Sequence, residues 1–256
     1  MRKIYFCLAL LFLISCDHIE RENRLIYEKP ATAKRVVLLE DFTGQRCVNC
    51  PKGTEIIDQL IAEYGDTSVV AVGIHAGPLG FYGNDNTVGL ATEVGEEYFQ
   101  HWNLEYQPVG LINRHSPINY PEWSAAVKEE LGKPATLSLE ASAFVDNENN
   151  IYIFIEALGT DGPTDGMLQV WIVEDGITAM QMMPDGSTNP NYVHNHVFRK
   201  AVNGTWGDKI TLQEGEMKSL EYTLDADAIW NVSHLSVVAF VYNDTGVLQA
   251  IKVKIQ

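Results

Sequence analysis

The sequence predicts an α/β domain followed by an antiparallel β-sandwich, and three observations lead to this fold class. Over residues 34–133, short apolar runs alternate with amphipathic helical patterns, which is typical of strands and helices in one layered domain. From residue 134 onward, apolar and polar residues alternate with a period of two, as in antiparallel strands with one buried face. The change occurs at Lys133-Pro134, so we place a domain boundary there.

The predicted α/β domain follows the order strand, helix, strand, helix, strand, helix. The first two strands are continuous apolar runs, as expected of strands that are covered on both faces. The helix between them repeats apolar side chains at helical spacing and ends at Gly65. An inserted loop at residues 76–89, rich in Gly and Asn, is the longest irregular piece. The predicted strands are residues 36–39, 69–74 and 106–112, and the predicted helices are residues 51–64, 90–102 and 122–131.

The predicted β domain covers residues 134–256 and contains six or seven strands, a number that is typical of a β-sandwich. The last two strands are joined by Asn243-Asp244-Thr245-Gly246, which is a hairpin turn sequence. The strands are predicted at residues 136–145, 151–155, 167–173, 218–224, 235–242 and 247–255.

The N-terminus has the pattern of a bacterial lipoprotein signal. A basic start precedes an apolar stretch at residues 4–14 that is too short to span a bilayer. Leu13-Ile14-Ser15-Cys16 has the form of a lipoprotein cleavage box. We therefore expect residues 1–15 to be removed as a signal peptide and Cys16 to carry the lipid that anchors the protein to a membrane. An ordinary secretory signal with an incidental cysteine is the alternative. Residues 16–33 are polar and predict a flexible tether.

The charge balance argues against one class of partner. The chain has 18 Lys and Arg residues against 34 Asp and Glu residues, which gives a formal net charge of −16. Nucleic-acid binding needs a basic surface, so we expect no nucleic-acid partner. The sequence has neither a phosphate-binding loop nor a nucleophile elbow, and we expect no cofactor.

Two cysteines remain once the signal segment is set aside. Cys7 lies in the apolar stretch and Cys16 in the cleavage box, which leaves Cys47 and Cys50. At the start of a helix, unpaired backbone N–H groups and the helix dipole stabilise a thiolate, and Arg46 adds positive charge directly before the first thiol. We therefore expect Cys47 to attack a disulfide of a partner protein and Cys50 to resolve the mixed disulfide.

The stretch from Asp41 to Cys50 resembles the active-site segment of the thioredoxin superfamily, and the resemblance continues into the following helix and strand. It implies that Asp41, six residues before the first cysteine, helps to move the proton of Cys50. It also implies that Pro108 is a cis-proline that faces the cysteines, and that Gln107 and Pro108 pair with the backbone of a substrate.

Two of these roles have plain structural alternatives. Asp41 is equally well explained as a structural or solvated carboxylate at a strand end, and Pro108 as a trans-proline at a strand start. The sequence also departs from thioredoxin, because Arg46 replaces the tryptophan before the first cysteine and Val48-Asn49 replaces Gly-Pro. These departures, with the longer loop at residues 76–89, leave the redox potential and the range of substrates open.

A second resemblance covers nearly the whole chain. Residues 43–51, Asn113-Arg114 and residues 194–199 are similar to the 28 kDa outer-membrane lipoproteins of Bacteroidetes. This family implies a thioredoxin-like domain followed by a β-rich domain, tethered to the outer membrane.

Two functions from different classes fit these patterns. In the first, the protein is a membrane-tethered thiol-disulfide oxidoreductase outside the cytoplasm, and its partner is a protein thiol or disulfide. In the second, it is a surface binding or adhesion lipoprotein whose β domain contacts a host or glycan ligand, and the two cysteines form a structural disulfide. A structural role in an outer-membrane complex is a third alternative.

Two further groups of residues are weighed against simpler interpretations. His194 and His196 would face the same side of a strand, but no third ligand is evident and zinc needs three or four, so we expect no metal. Four aromatic residues of the β domain suit either a sugar-binding platform or a buried core, and the core is more typical of such residues. They are Trp171, Tyr192, Trp206 and Trp230.

Overall fold

The computed structural model describes residues 28–256. The predicted signal peptide, the lipidation site at Cys16 and residues 16–27 of the tether lie outside this range. Residues 28–36 form neither helix nor strand. Within residues 28–256, no helix combines the length and the apolar character needed to cross a membrane.

The described part of the chain forms three α-helices and sixteen strands. The helices are α1 (Cys50–Tyr64), α2 (Glu93–His101) and α3 (Trp123–Leu131). The strands of the first half are β1 (Val37–Thr43), β2 (Val69–His75), β3 (Gly83–Asn84), β4 (Thr87–Val88), β5 (Val109–Ile112) and β6 (Ile118–Asn119). Those of the second half are β7 (Leu137–Val145), β8 (Asn150–Gly159), β9 (Thr164–Glu174), β10 (Ile177–Met182), β11 (Thr188–His194), β12 (Val197–Ala201), β13 (Asp208–Leu212), β14 (Met217–Asp225), β15 (Leu235–Asn243) and β16 (Gly246–Lys254).

One nine-stranded sheet runs through both halves of the chain. Its order is β16-β15-β9-β12-β2-β1-β5-β6, and β13 pairs with residues 164–168 of β9. β2 is parallel to both β1 and β12, whereas β5 is antiparallel to β1. The sheet therefore continues across the predicted boundary at Lys133-Pro134, because β12 and β9 extend the edge of β2.

A second sheet, with the order β14-β8-β7, packs against the C-terminal strands of the first. Every second residue of β8 is buried, as the period-two pattern predicts. These residues share one apolar cluster with side chains of β9 and β15. The fold is thus β-rich and built from several sheets, with three helices.

The helices lie on both faces of the main sheet. α1 and α3 share an apolar cluster with Val37 and Leu39 of β1, and α2 contributes Tyr98 and Phe99 to the cluster on the opposite face. α2 begins where the Thr92 side chain accepts a hydrogen bond from the Gly95 N–H at 3.0 Å, which is a standard N-cap.

A buried ion pair joins the two halves of the chain. Arg114 follows β5, and its Nε lies 3.3 Å from Oε1 of Glu40 on β1. The guanidinium carbon also lies 4.2 Å from the ring centroid of Tyr242 and 4.7 Å from that of Phe240, both on β15. Burial raises the pKa of Glu40, and the charge of Arg114 opposes that rise. The ionised form of Glu40 therefore depends on the positive charge of Arg114.

Four strands, β10 to β13, lie in a region to which the sequence analysis assigned no element. β11 is exposed or half-buried over most of its length, so it lacks the clean alternation that marks a strand with one buried face. Pro184 and Pro190 further interrupt the pattern. The inserted loop also contains the short hairpin of β3 and β4.

Substitution Arg114→Met is expected to lower the free energy of unfolding by about 3–5 kcal/mol, because it leaves Glu40 buried without a countercharge. Urea unfolding at pH 7 measures this loss. Lys209→Met is the matched control: it breaks an exposed pair with Asp165 at 3.6 Å, and such pairs contribute about 1 kcal/mol or less. Equal losses in the two variants would contradict the assignment, as would a double variant Glu40→Gln/Arg114→Met that recovers no stability.

Candidate functional site

Cys47 and Cys50 form a disulfide at the start of α1, with their Cα atoms 5.4 Å apart. Cys50 is the first residue of α1, and Pro51 occupies the first turn, where a missing backbone N–H costs nothing. Cys47 lies in the loop between β1 and α1. Gly44 opens this loop, and a Cβ there would come within 2.3 Å of the carbonyl oxygen of Leu79. Only glycine allows the inserted loop to approach the cysteines this closely.

The peptide bond between Gln107 and Pro108 is cis, as the thioredoxin resemblance implied. Pro108 lies beside α1, because a Cβ added to Gly53 would be 3.5 Å from the Pro108 Cβ. The amide nitrogen of the Gln107 side chain donates to the carbonyl oxygens of Thr43 (2.5 Å) and Ala76 (2.9 Å). The Gln107 side chain thus ties the ends of β1 and β2 together inside the protein.

Asp41 lies on β1 opposite Gly73 of the parallel strand β2. Only 3% of Asp41 is exposed, so it is not a solvated carboxylate. Its Oδ1 has no hydrogen-bond partner, and burial raises the pKa of Asp41 to about 8. A carboxyl group that is protonated near neutral pH is the form that burial without a countercharge favours.

Arg46 is exposed and is held by the inserted loop. Its guanidinium carbon lies 4.8 Å from the centroid of the Phe81 ring, which is within the range of a cation–π contact. The positive charge therefore stays one residue from Cys47, on the solvent side of the disulfide.

A cavity of about 30 Å³ lies beneath the first turn of α1, and this volume is enough for a water molecule. Asp41 and Cys50 both line it, so the structure brings these two predicted site residues together. Pro108, Gln107 and Arg46 do not line it. His75 and His194, which the sequence analysis did not place at the site, do.

The two histidines come from distant parts of the chain. His75 ends β2 and His194 ends β11, and their ring centroids are 5.2 Å apart in an edge-to-face arrangement. Burial lowers the pKa of both rings, that of His194 to about 4 and that of His75 well below its ordinary value. A polar residue that ends an otherwise apolar strand was the sequence signal for His75, whereas His194 had no local signal of this kind.

The hairpin of β10 and β11 covers the disulfide. Nε2 of Gln181 donates to the carbonyl oxygen of Cys47 at 2.8 Å, and the backbone N–H of Met182 donates to the carbonyl oxygen of Gln45 at 2.9 Å. Only 1% of Cys47 and 2% of Cys50 are exposed as a result. In this arrangement both cysteines are almost fully buried.

The predicted common face of His194 and His196 is wrong. β11 ends at His194, and His196 has a positive φ of 57°, so the chain turns between the two rings. His196 instead lies 3.1 Å from Asp175. Within residues 28–256, no group of three or more His, Cys, Asp or Glu side chains is arranged to hold a metal ion.

The aromatic residues that suited a sugar platform belong largely to the interior. Trp171 is fully buried and its indole N–H donates to the hydroxyl of Tyr98 at 3.1 Å. Trp206 packs against the apolar cluster that contains Tyr98 and Trp171. Trp230 packs against the apolar cluster shared by β8, β9 and β15. Tyr192 lines the cavity beside Cys50.

Comparisons with known proteins extend these observations. Among solved structures, HBP35 of Porphyromonas gingivalis is similar, with a TM-score of 0.68 and 15% identity over 88% of this chain and 77% of that chain; this likeness concerns the fold alone. A domain of the outer membrane lipoprotein Omp28 from Porphyromonas gingivalis is 26% identical over 48% of this chain and 89% of that chain, with a TM-score of 0.37. No curated protein sequence shows significant similarity to this chain.

A family model described as outer membrane protein Omp28 matches residues 95–256. The match covers more than half of the chain, and it begins after the two cysteines. It confirms the resemblance to the 28 kDa outer-membrane lipoproteins that the sequence motifs indicated. The chain belongs to the Omp28 family of outer membrane proteins.

Proposed function

We propose that this outer-membrane protein exchanges thiols and disulfides with a protein partner through Cys47 and Cys50. In this proposal residues 34–133 form a thioredoxin-like unit, residues 134–256 form a β-sandwich that shares its main sheet, and a lipid on Cys16 anchors the chain. The single observation that carries the proposal is the meeting of Cys50 with the buried carboxyl of Asp41 in one cavity. The position of Pro108 beside α1 supports it.

The chemistry follows from the two thiols of the reduced protein. The Cys47 thiolate attacks a partner disulfide, forms a mixed disulfide and releases one partner thiolate. Cys50 then loses its proton and attacks Sγ of Cys47, which closes the Cys47–Cys50 disulfide and releases the second partner thiolate. Asp41 is the proton acceptor for Cys50. Its pKa of about 8 is close to the ordinary thiol pKa of about 8.5, so transfer between the two groups costs little.

The cover over the disulfide sets a condition on this exchange. The hydrogen bonds from Gln181 and Met182 to the cysteine loop must break before a partner reaches Cys47. The closed hairpin therefore keeps the oxidised form protected, and its opening limits the rate of exchange.

A second function is favoured by the same burial. Two cysteines that are almost fully inaccessible suit a static disulfide, and in that case the protein acts as a surface binding or adhesion protein through its β domain. The two functions differ in whether the disulfide takes part in any reaction.

The exchange function predicts turnover by the purified full-length protein. With dithiothreitol as the electron donor, reduction of insulin disulfides should be faster with the wild type than without protein, and this acceleration should be lost in Cys47→Ser. The reaction should stall as a mixed disulfide at Cys47 in Cys50→Ser, because only the resolving thiol is then missing. Mass spectrometry detects the trapped species. Turnover that is absent in the wild type, or unaffected by Cys47→Ser, would leave the static disulfide as the correct function.

Substitution Gln181→Ala removes the hydrogen bonds from its side chain to the carbonyl oxygens of Gly44 and Cys47. We expect it to speed reduction of the disulfide by dithiothreitol by roughly 10-fold, since a net loss of about 1.4 kcal/mol favours opening by that factor. The rate is followed by thiol labelling at pH 8. Thr188→Ala changes an exposed residue on the same hairpin and serves as the matched control. If both variants are reduced at the wild-type rate, the hairpin does not limit access.

Asp41→Asn tests the raised pKa through stability. The ordinary pKa of Asp is 3.8 and that of Asp41 in the folded protein is about 8, so between these values the folded state holds a proton that the unfolded state has released. The contribution of this proton to the stability of the folded state is fully present below pH 4. It is lost as the pH rises toward 8, by up to about 1.4 kcal/mol per pH unit. The amide side chain of the variant takes no part in this titration. The stability of the oxidised variant relative to wild type should therefore be higher at pH 8 than at pH 5; urea unfolding that gives the same difference at both pH values would refute the assignment.

A further inference from the structure

Three residues that line the cavity beside Cys50 each carry a buried polar atom without a hydrogen-bond partner. These atoms are Oδ1 of Asp41, Nδ1 of His75 and Nε2 of His194, and their residues are 3%, 4% and 6% exposed. Buried polar atoms are nearly always satisfied, by protein groups or by ordered water. Three such atoms around one cavity of about 30 Å³ therefore indicate a site where water links them.

The strand register explains why the three groups meet. β1 and β2 are parallel, with Asp41 opposite Gly73 and Thr43 opposite His75. Side chains two residues apart lie on the same face of a strand, so Asp41 and His75 share the face that α1 covers. Gly73 lies opposite Asp41 and two residues before His75. A Cβ added to Gly73 would meet its nearest neighbours only at 3.8 Å. The missing side chain of Gly73 thus leaves the space that forms part of the cavity.

His194 closes the cavity from the other side. It ends β11, where it pairs with Ile177 of β10, so it moves with the hairpin that covers the disulfide. Backbone carbonyl groups of Met180 and Ala179 contact its ring and favour the protonated form, but burial outweighs them and lowers the pKa of His194 to about 4. At neutral pH both imidazoles are uncharged, and an uncharged imidazole takes a proton on one nitrogen while it releases one from the other.

We propose that His75 and His194 carry the proton between Cys50, Asp41 and solvent through water in this cavity. The proposal rests on the exchange chemistry of Cys47 and Cys50 and adds two residues to it. Only 3% of Asp41 is exposed, so a proton that it receives from Cys50 needs a path to solvent, and the two imidazoles supply that path. They act through water and through Asp41, so they are positioning residues for proton transfer.

The step is the closure of the disulfide from a mixed disulfide with glutathione on Cys47. The S–H proton of Cys50 passes through cavity water to the ionised carboxyl of Asp41, and the neutral imidazoles relay it to solvent. Sγ of Cys50 forms a bond to Sγ of Cys47, and the bond from Cys47 to glutathione breaks. The Cys50 sulfur is oxidised, and glutathione leaves as a reduced thiolate that takes up a proton from solvent.

Other titratable and charged groups near the two rings bear on the pH dependence. They are Tyr192 on β11, His196 before β12, Arg199 on β12, and Glu55 and Asp58 on α1. Arg199 lowers the pKa of His75, after burial and the neighbouring His194. Burial keeps both rings neutral while the carboxyl of Asp41 titrates, and Arg199 adds to this effect at His75.

The test measures disulfide closure directly in the full-length protein. The reduced protein is mixed with oxidised glutathione, and the decay of the glutathione adduct on Cys47 is followed by acid quench and mass spectrometry from pH 5 to pH 9. We expect His194→Gln and His75→Gln each to slow closure at pH 7 by at least about 10-fold. Positioned proton transfer contributes about 100-fold at the lower end of its range. We also expect the midpoint of their pH–rate profiles to move upward by about one unit, toward an unassisted thiol of pKa about 8.5.

His115→Gln is the matched control, since it makes the same chemical change at a half-exposed ring bound to Glu130, far from the cavity. It should keep the wild-type rate and profile. Gly73→Ala is the second kind of variant: its methyl group enters the cavity without a clash and should slow closure by displacing water while both histidines remain. If His75→Gln fails to fold, His194→Gln and Gly73→Ala decide the question.

Two outcomes separate the two proposals. If the protein closes its glutathione adduct with the predicted pH profiles but does not turn over insulin, the proton path is supported and the proposed protein substrate is wrong. The proton path itself is overturned if the folded His194→Gln and Gly73→Ala variants close the disulfide with the wild-type midpoint, or if they lose rate equally at every pH.

Discussion

The rest of the structure depends on the buried pair of Glu40 and Arg114. The carboxylate belongs to β1, and the guanidinium packs on aromatic rings of β15, so the pair holds the C-terminal strands against the N-terminal ones within one apolar cluster. β12 can then lie beside β2, although the register of that pairing rests on Val197 and Gly73 alone. Because β12 follows β11 directly, the same packing delivers the hairpin and His194 to the cysteines.

One structural element sets two properties of the site at once. The hairpin helps to shield Asp41 from bulk solvent, and burial is what raises the pKa of that carboxyl to about 8. The same hairpin binds the loop of Cys47 through Gln181 and removes its sulfur from solvent. Protection of the disulfide and tuning of the acid are therefore not independent features of the chain.

Local signals in the sequence were sufficient for the first half of the fold and for part of the site. The apolar runs of β1 and β2, the helical spacing before Gly65 and the resemblance around Pro108 each depend on neighbouring residues, and the structure has the corresponding elements. The covering hairpin could not be found this way, because Gln181 and Cys47 are separated by 134 positions. The place of His194 at the site could not be predicted for the same reason, because its contact with His75 is one that no spacing rule describes.

Opening of the hairpin couples access to proton chemistry. In the closed state the carboxyl of Asp41 holds its proton at pH 7, since its pKa is about 8. In the proposed exchange, opening would expose the cavity to bulk solvent and bring this pKa toward the ordinary value of 3.8. Asp41 would then release its proton and become a base when Cys47 becomes accessible. Because opening then releases a proton, rising pH favours the open state until the carboxyl of the closed state also ionises. The acceptor for the Cys50 proton is thus prepared by the same movement that admits the partner.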